Sequence, residues 1–306
     1  MSHYRKEDLL GLRREHDALV GLDSDGCVFP TMELKQKQCF HAEIVRRWGL
    51  EQAERALREC AEFVNLRSKW RGHNRFPALL RVFDLFRERP DAAASGAPMP
   101  PVDTLRRYVE SGLPLSNATL EQEAARTGDP ELRRLLEWSL AVNGNVERTV
   151  RNVAPFRWVL ESLELISRRA DLIVVSQTPE EALVREWQEH GLEGYPRVIA
   201  GQELGTKAEH LAMAAQGRYA PGRVLMVGDA QGDLQAARAV GACFFPVNPG
   251  LEEESWKRFL DEAFGRFLAG TFAGAYEAEL VRTFDALLPE TPPWKRMPAE
   301  AAPGCR

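Results

Sequence analysis

The chain has 306 residues, 44% of them hydrophobic and 28% charged, the balance of a folded globular protein rather than a disordered, fibrous or membrane-spanning one. At roughly 100–200 residues per domain, that length predicts two cores. Forty Lys and Arg against 45 Asp and Glu leave a formal charge of −5, so no global basic field exists to concentrate nucleic acid or an anionic membrane, and a phosphorylated ligand would need a local basic site.

Met1 to Asp17 (MSHYRKEDLLGLRREHD) spreads its charges throughout and lacks the apolar stretch of a secretory signal. No segment reaches the ~18 apolar residues of a membrane span. The first strand-like run is Ala18-Leu19-Val20-Gly21-Leu22, followed by Asp23-Ser24-Asp25-Gly26. Over the next stretch of about 125 residues no strand can be read, although a βαβ crossover needs only a dozen, so a helical unit is inserted here, from about Pro30 to Val153. Within it Ala53, Ala56, Leu57, Cys60, Ala61 and Val64 recur at helical spacing, as do Leu132, Leu135, Leu136 and Leu140 after Asp129-Pro130. Pro90 to Pro101 (PDAAASGAPMPP) reads as an exposed loop.

Strand texture returns at Leu172-Ile173-Val174-Val175, Val198-Ile199, Val224-Leu225-Met226-Val227 and Cys243-Phe244-Phe245-Pro246-Val247, the proline placing the last run at a sheet edge. Helical segments separate these runs, which predicts a doubly wound parallel α/β sheet. Thr178-Pro179-Glu180-Glu181 reads as a capping box with proline at N1, opening a helix that closes at Gly191. Leu251 to Leu288 is helical, and Thr291 to Arg306 has the composition of a disordered tail. The boundaries expected are therefore a split sheet domain, 1–29 and 154–288, a helical domain, 30–153, and a tail, 289–306.

Open α/β sheets place ligands beyond the C-terminal ends of their strands. There stand Asp23 and Asp25 after the first strand, Ser176-Gln177 after the second, and Gly228-Asp229-Ala230-Gln231-Gly232-Asp233 after the fourth, with Lys207 in the Gly205-Thr206-Lys207 turn following the third. Carboxylates crowded in one crevice repel unless a cation and Lys207 balance them, and oxygen-only ligands select a hard ion such as Mg²⁺. A carboxylate beside such a metal, a lysine and a hydroxyl is equipped for phosphoryl transfer. Other phosphate and metal patterns fail. Asp23 to Leu34 has its glycine at Gly26 rather than the sixth place of a calcium loop, and Gly201 to Lys207 lacks the Gly-Lys-Ser/Thr ending of a P-loop.

These motifs, Asp23-Ser24-Asp25-Gly26, Ser176, Lys207 and Gly228 to Asp233, resemble in order and placement those of the haloacid dehalogenase-like superfamily. The resemblance covers about 18–31 and 155–248 and implies a Rossmann-like core with an all-helical cap inserted directly after the first motif. It implies Asp23 as the nucleophile that becomes an aspartyl phosphate and Asp25 as general acid/base. Ser176 would hold the transferring phosphoryl group, and Lys207 would hold nucleophile and phosphate together. Asp23 and Asp229 would ligate Mg²⁺ along with the backbone carbonyl of Asp25, and Asp233 would act from behind them. Ser24, Gly26 and Gln177 complete the expected phosphate-binding set. Dehalogenases and phosphonatases of the superfamily lack the second aspartate, so Asp25 implies a phosphatase acting on a small phosphorylated metabolite. A phosphomutase acting on a sugar phosphate shares every motif, and a non-catalytic phospholigand-binding protein is the reading from another class.

Arg67, Lys69, Arg71, His73, Asn74 and Arg75, interleaved with Trp70 and Phe76 around Gly72, read either as a specificity loop in which Arg71 and Asn74 touch substrate, or as a solvated turn between helices. His41 is expected to pack or lie at the surface, Trp138, Trp158 and Trp187 to fill cores, and Cys27 to be a small buried residue beside the first motif. The five cysteines, Cys27, Cys39, Cys60, Cys243 and Cys305, form no CxxC pair and fit a reducing cytoplasm. Oligomeric state cannot be read from the sequence.

Overall fold

The structure, a computed structural model, describes residues 4–295. Five parallel strands, β1 (Leu19–Leu22), β2 (Asp171–Val175), β3 (Val198–Ala200), β4 (Val224–Gly228) and β5 (Cys243–Pro246), form one sheet in the order β3-β2-β1-β4-β5. Leu22 pairs with Val174 on one side and Val227 on the other, so the C-terminal ends of the three central strands are level. Pro246 ends β5 at the sheet edge, where its missing N–H breaks no ladder.

Almost every strand residue is buried, as expected of a sheet covered on both faces. Val20, Leu22, Leu172, Val174, Leu225 and Val227 face α10 (Val159–Ser167), α11 (Glu180–Gln188), α14 (Glu252–Arg258) and α15 (Phe264–Ala269). Leu19, Ile173, Val175, Met226 and Phe244 face α12 (Lys207–Ala215), α13 (Gln231–Ala239) and much of α16 (Ala275–Leu287), with Leu9 of α1 (Lys6–Leu10) joining them. Gly21 brings Leu211 of α12 against β1, where a Cβ would collide with it.

Between β1 and β2 every regular element is helical. Those that precede α10 are, in order, α2 (Thr31–Leu34), a π-helical turn (Lys35–Phe40), α3 (His41–Trp48), a 3₁₀ turn (Glu51–Ala53), α4 (Glu54–Leu66), α5 (Arg75–Arg87), α6 (Pro90–Ala94), α7 (Asp103–Val109), α8 (Asn117–Thr127) and α9 (Pro130–Thr149). They enclose a separate apolar core, in which Trp48 meets Phe83 edge-on with ring centres 5.0 Å apart and Trp138 meets Phe76 at 6.3 Å. The two ends of the insertion meet, since Phe156 N–H donates to Val28 O at 2.9 Å.

Four local readings change. Pro90–Ala94 is a helical turn rather than an exposed loop, with Ala92 buried and Arg89 bound to Glu59 (2.6 Å) and Asp91 (2.8 Å). Pro179 is the cap residue of α11 rather than its N1, and Thr178 turns its hydroxyl away from that helix. The helix ends at Gln188, and Gly191 sits in the left-handed region two residues past its cap. Trp158 packs at the edge of a sheet-layer core rather than filling it: it is partly buried, its backbone is left-handed (φ 72°), and the cations of Arg157 (4.4 Å) and Lys257 (5.3 Å) lie over its ring.

The segment read as a tail begins with ordered chain, in which Trp294 meets Phe63 of α4 edge-on at 5.7 Å and lies under Arg89 at 5.0 Å. The stretch 296–306 lies outside the described residues. Among the described residues no helix is long and apolar enough to cross a membrane.

Candidate active site

Asp23 is the first residue beyond β1, and its N–H donates to Val227 O at 2.9 Å, which pins it between β2 and β4. Lys207 opens α12, a helix started by a capping box in which Thr206 Oγ1 accepts from Glu209 N and the Glu209 carboxylate accepts from Thr206 N. That start carries Lys207 Nζ to 2.9 Å from Asp23 Oδ2 and 2.6 Å from Asp233 Oδ1. Asp233 stands at N3 of α13 and also accepts from Ala230 N at 3.0 Å, so one carboxylate both fixes the helix start and holds the lysine.

Asp23, Asp229 and Asp233 are buried, and each offers an oxygen within 4.8 Å of the others. Burial raises the pKa of all three. Asp229 adds to the rise at Asp23, Asp233 to that at Asp229 and Asp23 to that at Asp233, against the pull of Lys207 and Arg71. Asp229 Oδ1 has no hydrogen-bond partner among the described residues. An unpartnered carboxylate oxygen within a cluster of buried, mutually repelling carboxylates fits a hard divalent cation. Lys207 is held above its ordinary pKa: burial opposes the charge, and Asp23 and Asp233 outweigh it.

Asp25 points elsewhere. Its Oδ1 accepts from Thr31 Oγ1 and from Lys35 Nζ (2.5 Å), and its Oδ2 from Thr178 Oγ1 (2.7 Å). Burial alone would raise its pKa, but Lys35 and the two hydroxyls hold it below the ordinary carboxylate value. Its carboxylate is therefore engaged with Lys35, Thr31 and Thr178 and, against expectation, is not among the carboxylates that cluster as possible metal ligands in this conformation.

Ser176 is buried at the end of β2, with its hydroxyl accepting from Thr178 N at 3.2 Å. Gln177 is exposed and donates to Gly205 O at 2.9 Å, tying the second motif loop to the lysine turn. Gly26 is left-handed (φ 78°), and a Cβ there would collide with Asp229 Oδ2 and come 2.5 Å from Arg71 Nη2. The cap cluster divides. Arg71, 5% exposed, sends Nε to Asp229 Oδ2 at 2.7 Å and Nη1 to Leu66 O at 3.1 Å, so the cap places a guanidinium at the carboxylate cluster. Gly72 beside it lies so close to the fourth motif that a Cβ would stand 2.8 Å from Ala230 Cβ.

Two expected ligand contacts are engaged otherwise. Asn74 caps α5, accepting from Phe76 N (3.0 Å) and donating to Leu115 O (2.9 Å), which uses both ends of its amide. Ser24 is fully buried, and its hydroxyl accepts from Trp187 Nε1 at 3.1 Å, which ties it to α11. Cys27 is buried, and burial together with Asp229 and Asp23 pushes its thiol well above the ordinary pKa. Lys35 and Glu186 have no motif in the sequence. A lysine in a polar helix turn resembles any surface lysine, and only the tertiary contact singles it out.

No protein-family model matches the chain. No curated protein matches it either. Among solved structures it is similar to a haloacid dehalogenase-like family hydrolase from Streptococcus pneumoniae, at 15% identity and TM-score 0.43 over 78% of this chain and 90% of that one. A predicted phosphoglycolate phosphatase from Haemophilus somnus matches at 17% identity and TM-score 0.47, over 75% and 84%. A β-phosphoglucomutase candidate from Bacteroides vulgatus matches at 15% and 0.46, over 88% and 98%. The parallel sheet, the helical insertion directly after the first motif and the four motif positions at or beyond the strand ends give this chain a haloacid dehalogenase-like fold.

Proposed function

We propose that the protein is a Mg²⁺-dependent phosphatase that hydrolyses a small phosphomonoester through an aspartyl phosphate on Asp23. The observation that carries this reading is the buried set Asp23, Lys207, Asp233 and Asp229, in which Asp229 Oδ1 has no hydrogen-bond partner among the described residues, at the C-terminal edge of the sheet. Asp23, Asp229 and the Asp25 carbonyl would hold the cation, with Asp233 behind them. The bound ion supplies neutralisation of phosphate charge.

The chain's own residues do the rest. A carboxylate oxygen of Asp23 bonds to phosphorus as the ester P–O bond breaks, and the leaving oxygen takes a proton from Asp25, whose contacts with Lys35, Thr31 and Thr178 favour its ionised form, so that it must first turn from them and take up a proton from solvent. Lys207, already against Asp23, neutralises the phosphoryl oxygens, and the Ser176 hydroxyl donates to one of them. Water then attacks phosphorus and gives its proton to Asp25, releasing inorganic phosphate and restoring Asp23. Arg71 and the Gly72 turn cover the site, exclude bulk water and offer a positive contact to the phosphorylated substrate.

The test is phosphate release from a panel of phosphorylated metabolites and p-nitrophenyl phosphate, with Mg²⁺ or with EDTA, for wild type and Asp23→Asn. Release should require Mg²⁺ and fall by about a thousandfold or more in the variant. Undiminished release by Asp23→Asn would remove Asp23 as nucleophile. Phosphoryl transfer to a sugar that depends on catalytic bisphosphate would make the protein a mutase.

A further inference from the structure

Lys35 lies outside the carboxylate cluster that holds Lys207, yet it is buried and lies 2.5 Å from Asp25 Oδ1 and 3.0 Å from Glu186 Oε1. Three elements meet at this ammonium: the first motif loop, the π-helical turn that Lys35 opens at the start of the insertion, and α11 of the sheet layer. A packing position here could be filled by an apolar side chain, and π turns recur at functional sites. The arrangement has one cation against two buried carboxylates, and Glu186 Oε2 has no hydrogen-bond partner among the described residues.

That excess has a use. If Asp25 were the only partner of Lys35, turning its carboxylate toward a reacting phosphoryl group would strand a buried cation, which is strongly unfavourable. With Glu186 in place, Lys35 stays neutralised whichever way Asp25 points. Burial and the nearby Asp25 push the Glu186 carboxyl up to about 7, in keeping with an ammonium that the two acids share.

We propose that Lys35 is a positioning residue for Asp25, with Glu186 as its standing counter-ion, so that the acid/base of the reaction is aimed from the base of the cap. The inference rests on the phosphatase reading above, and its test separates the two.

Wild type, Lys35→Met, Lys35→Arg and Lys35→Met/Glu186→Gln are compared on the best alkyl phosphate of the panel and on p-nitrophenyl phosphate, whose leaving group needs little protonation. In Lys35→Met, kcat should fall about tenfold or more on the alkyl ester and roughly threefold or less on the aryl ester, with KM little changed. Lys35→Arg should recover part of the alkyl rate. The double variant should recover part of the thermal midpoint without recovering kcat, because it removes one of the two stranded carboxylates and still lacks the residue that aims Asp25. Wild-type kcat in Lys35→Met, equal losses on the two esters, or kcat returning together with the midpoint would each overturn the proposal. The carboxyl ¹³C shift of Asp25 reads the same contact without turnover. It should move in Lys35→Met, and an unmoved signal overturns the proposal even if the Asp23→Asn comparison has already shown that no phosphomonoester is hydrolysed.

Discussion

Trp187 anchors the residue next to Asp23, the proposed nucleophile. Its indole donates to Ser24 Oγ, and its ring meets Phe29 edge-on at 6.0 Å, so the first motif is fastened to α11 by one hydrogen bond and one aromatic contact. Trp187→Phe keeps a ring for Phe29 and leaves the Ser24 hydroxyl buried without its donor. The expected cost is about 1–2 kcal/mol, measured as a lower thermal midpoint, with a loss of kcat because the backbone that carries Asp23 loosens. At this scale the sequence was legible wherever chemistry coincided with a strand end, as at Asp23, Ser176 and Asp229. It was not legible where a side chain's role is set by a partner distant in the chain, 41 residues away for Asn74 and 163 for Ser24. Ser24 and Asn74 are polar residues in suggestive places, and only the positions of Trp187 and Leu115 show that their polar groups are engaged in structure.

At the scale of elements, α3 carries an expense that can be measured. His41, its first residue, is fully buried, and neither ring nitrogen has a hydrogen-bond partner among the described residues. Burial, with the charges of Arg58 and Lys37, pushes its pKa down to about 3. The folded pKa thus lies below that of the unfolded chain, so the unfolded state takes up a proton first as pH falls below about 6.5, and stability is lost from there down toward pH 3. His41→Leu should flatten the stability profile by roughly 2 kcal/mol between pH 6.5 and 5, read from denaturant midpoints across that range. An equally steep profile in the variant would assign the acid sensitivity elsewhere. The pattern of apolar residues predicted helices such as α4 and α9, because their burial follows helical spacing. The turn at Pro90–Ala94 escaped because proline and small residues also describe a loop, and what orders it is Arg89 bridging to Glu59.

At the scale of the molecule, two apolar cores in the sheet layer and one in the insertion follow from strands too short and too apolar to be anything but buried, and from the long interval that lacks them. What the sequence did not disclose is that the chain passes between sheet layer and cap a third time, besides at the two ends of the insertion. Beyond α16 the chain crosses to the cap, where Glu290 meets Lys69 at 3.0 Å, Trp294 packs between Phe63 and Arg89, and Lys295 pairs with Glu88. Trp294→Ala should cost about 1–2 kcal/mol and speed amide hydrogen exchange along Glu54–Leu66, leaving exchange in β1 and β4 unchanged.

The sheet order has a consequence for how the protein is made. β1 is the first strand to emerge during synthesis, yet its partners β2 and β4 begin at Asp171 and Val224. The helices between β1 and β2 make their contacts largely among themselves, so they can complete their core while β1 still waits with both edges bare. Asp23 gains its neighbours only after Asp233 has been added. The nascent chain therefore finishes the lid before the vessel, and a ribosome stalled before α13 would display a folded cap beside an unassembled carboxylate cluster.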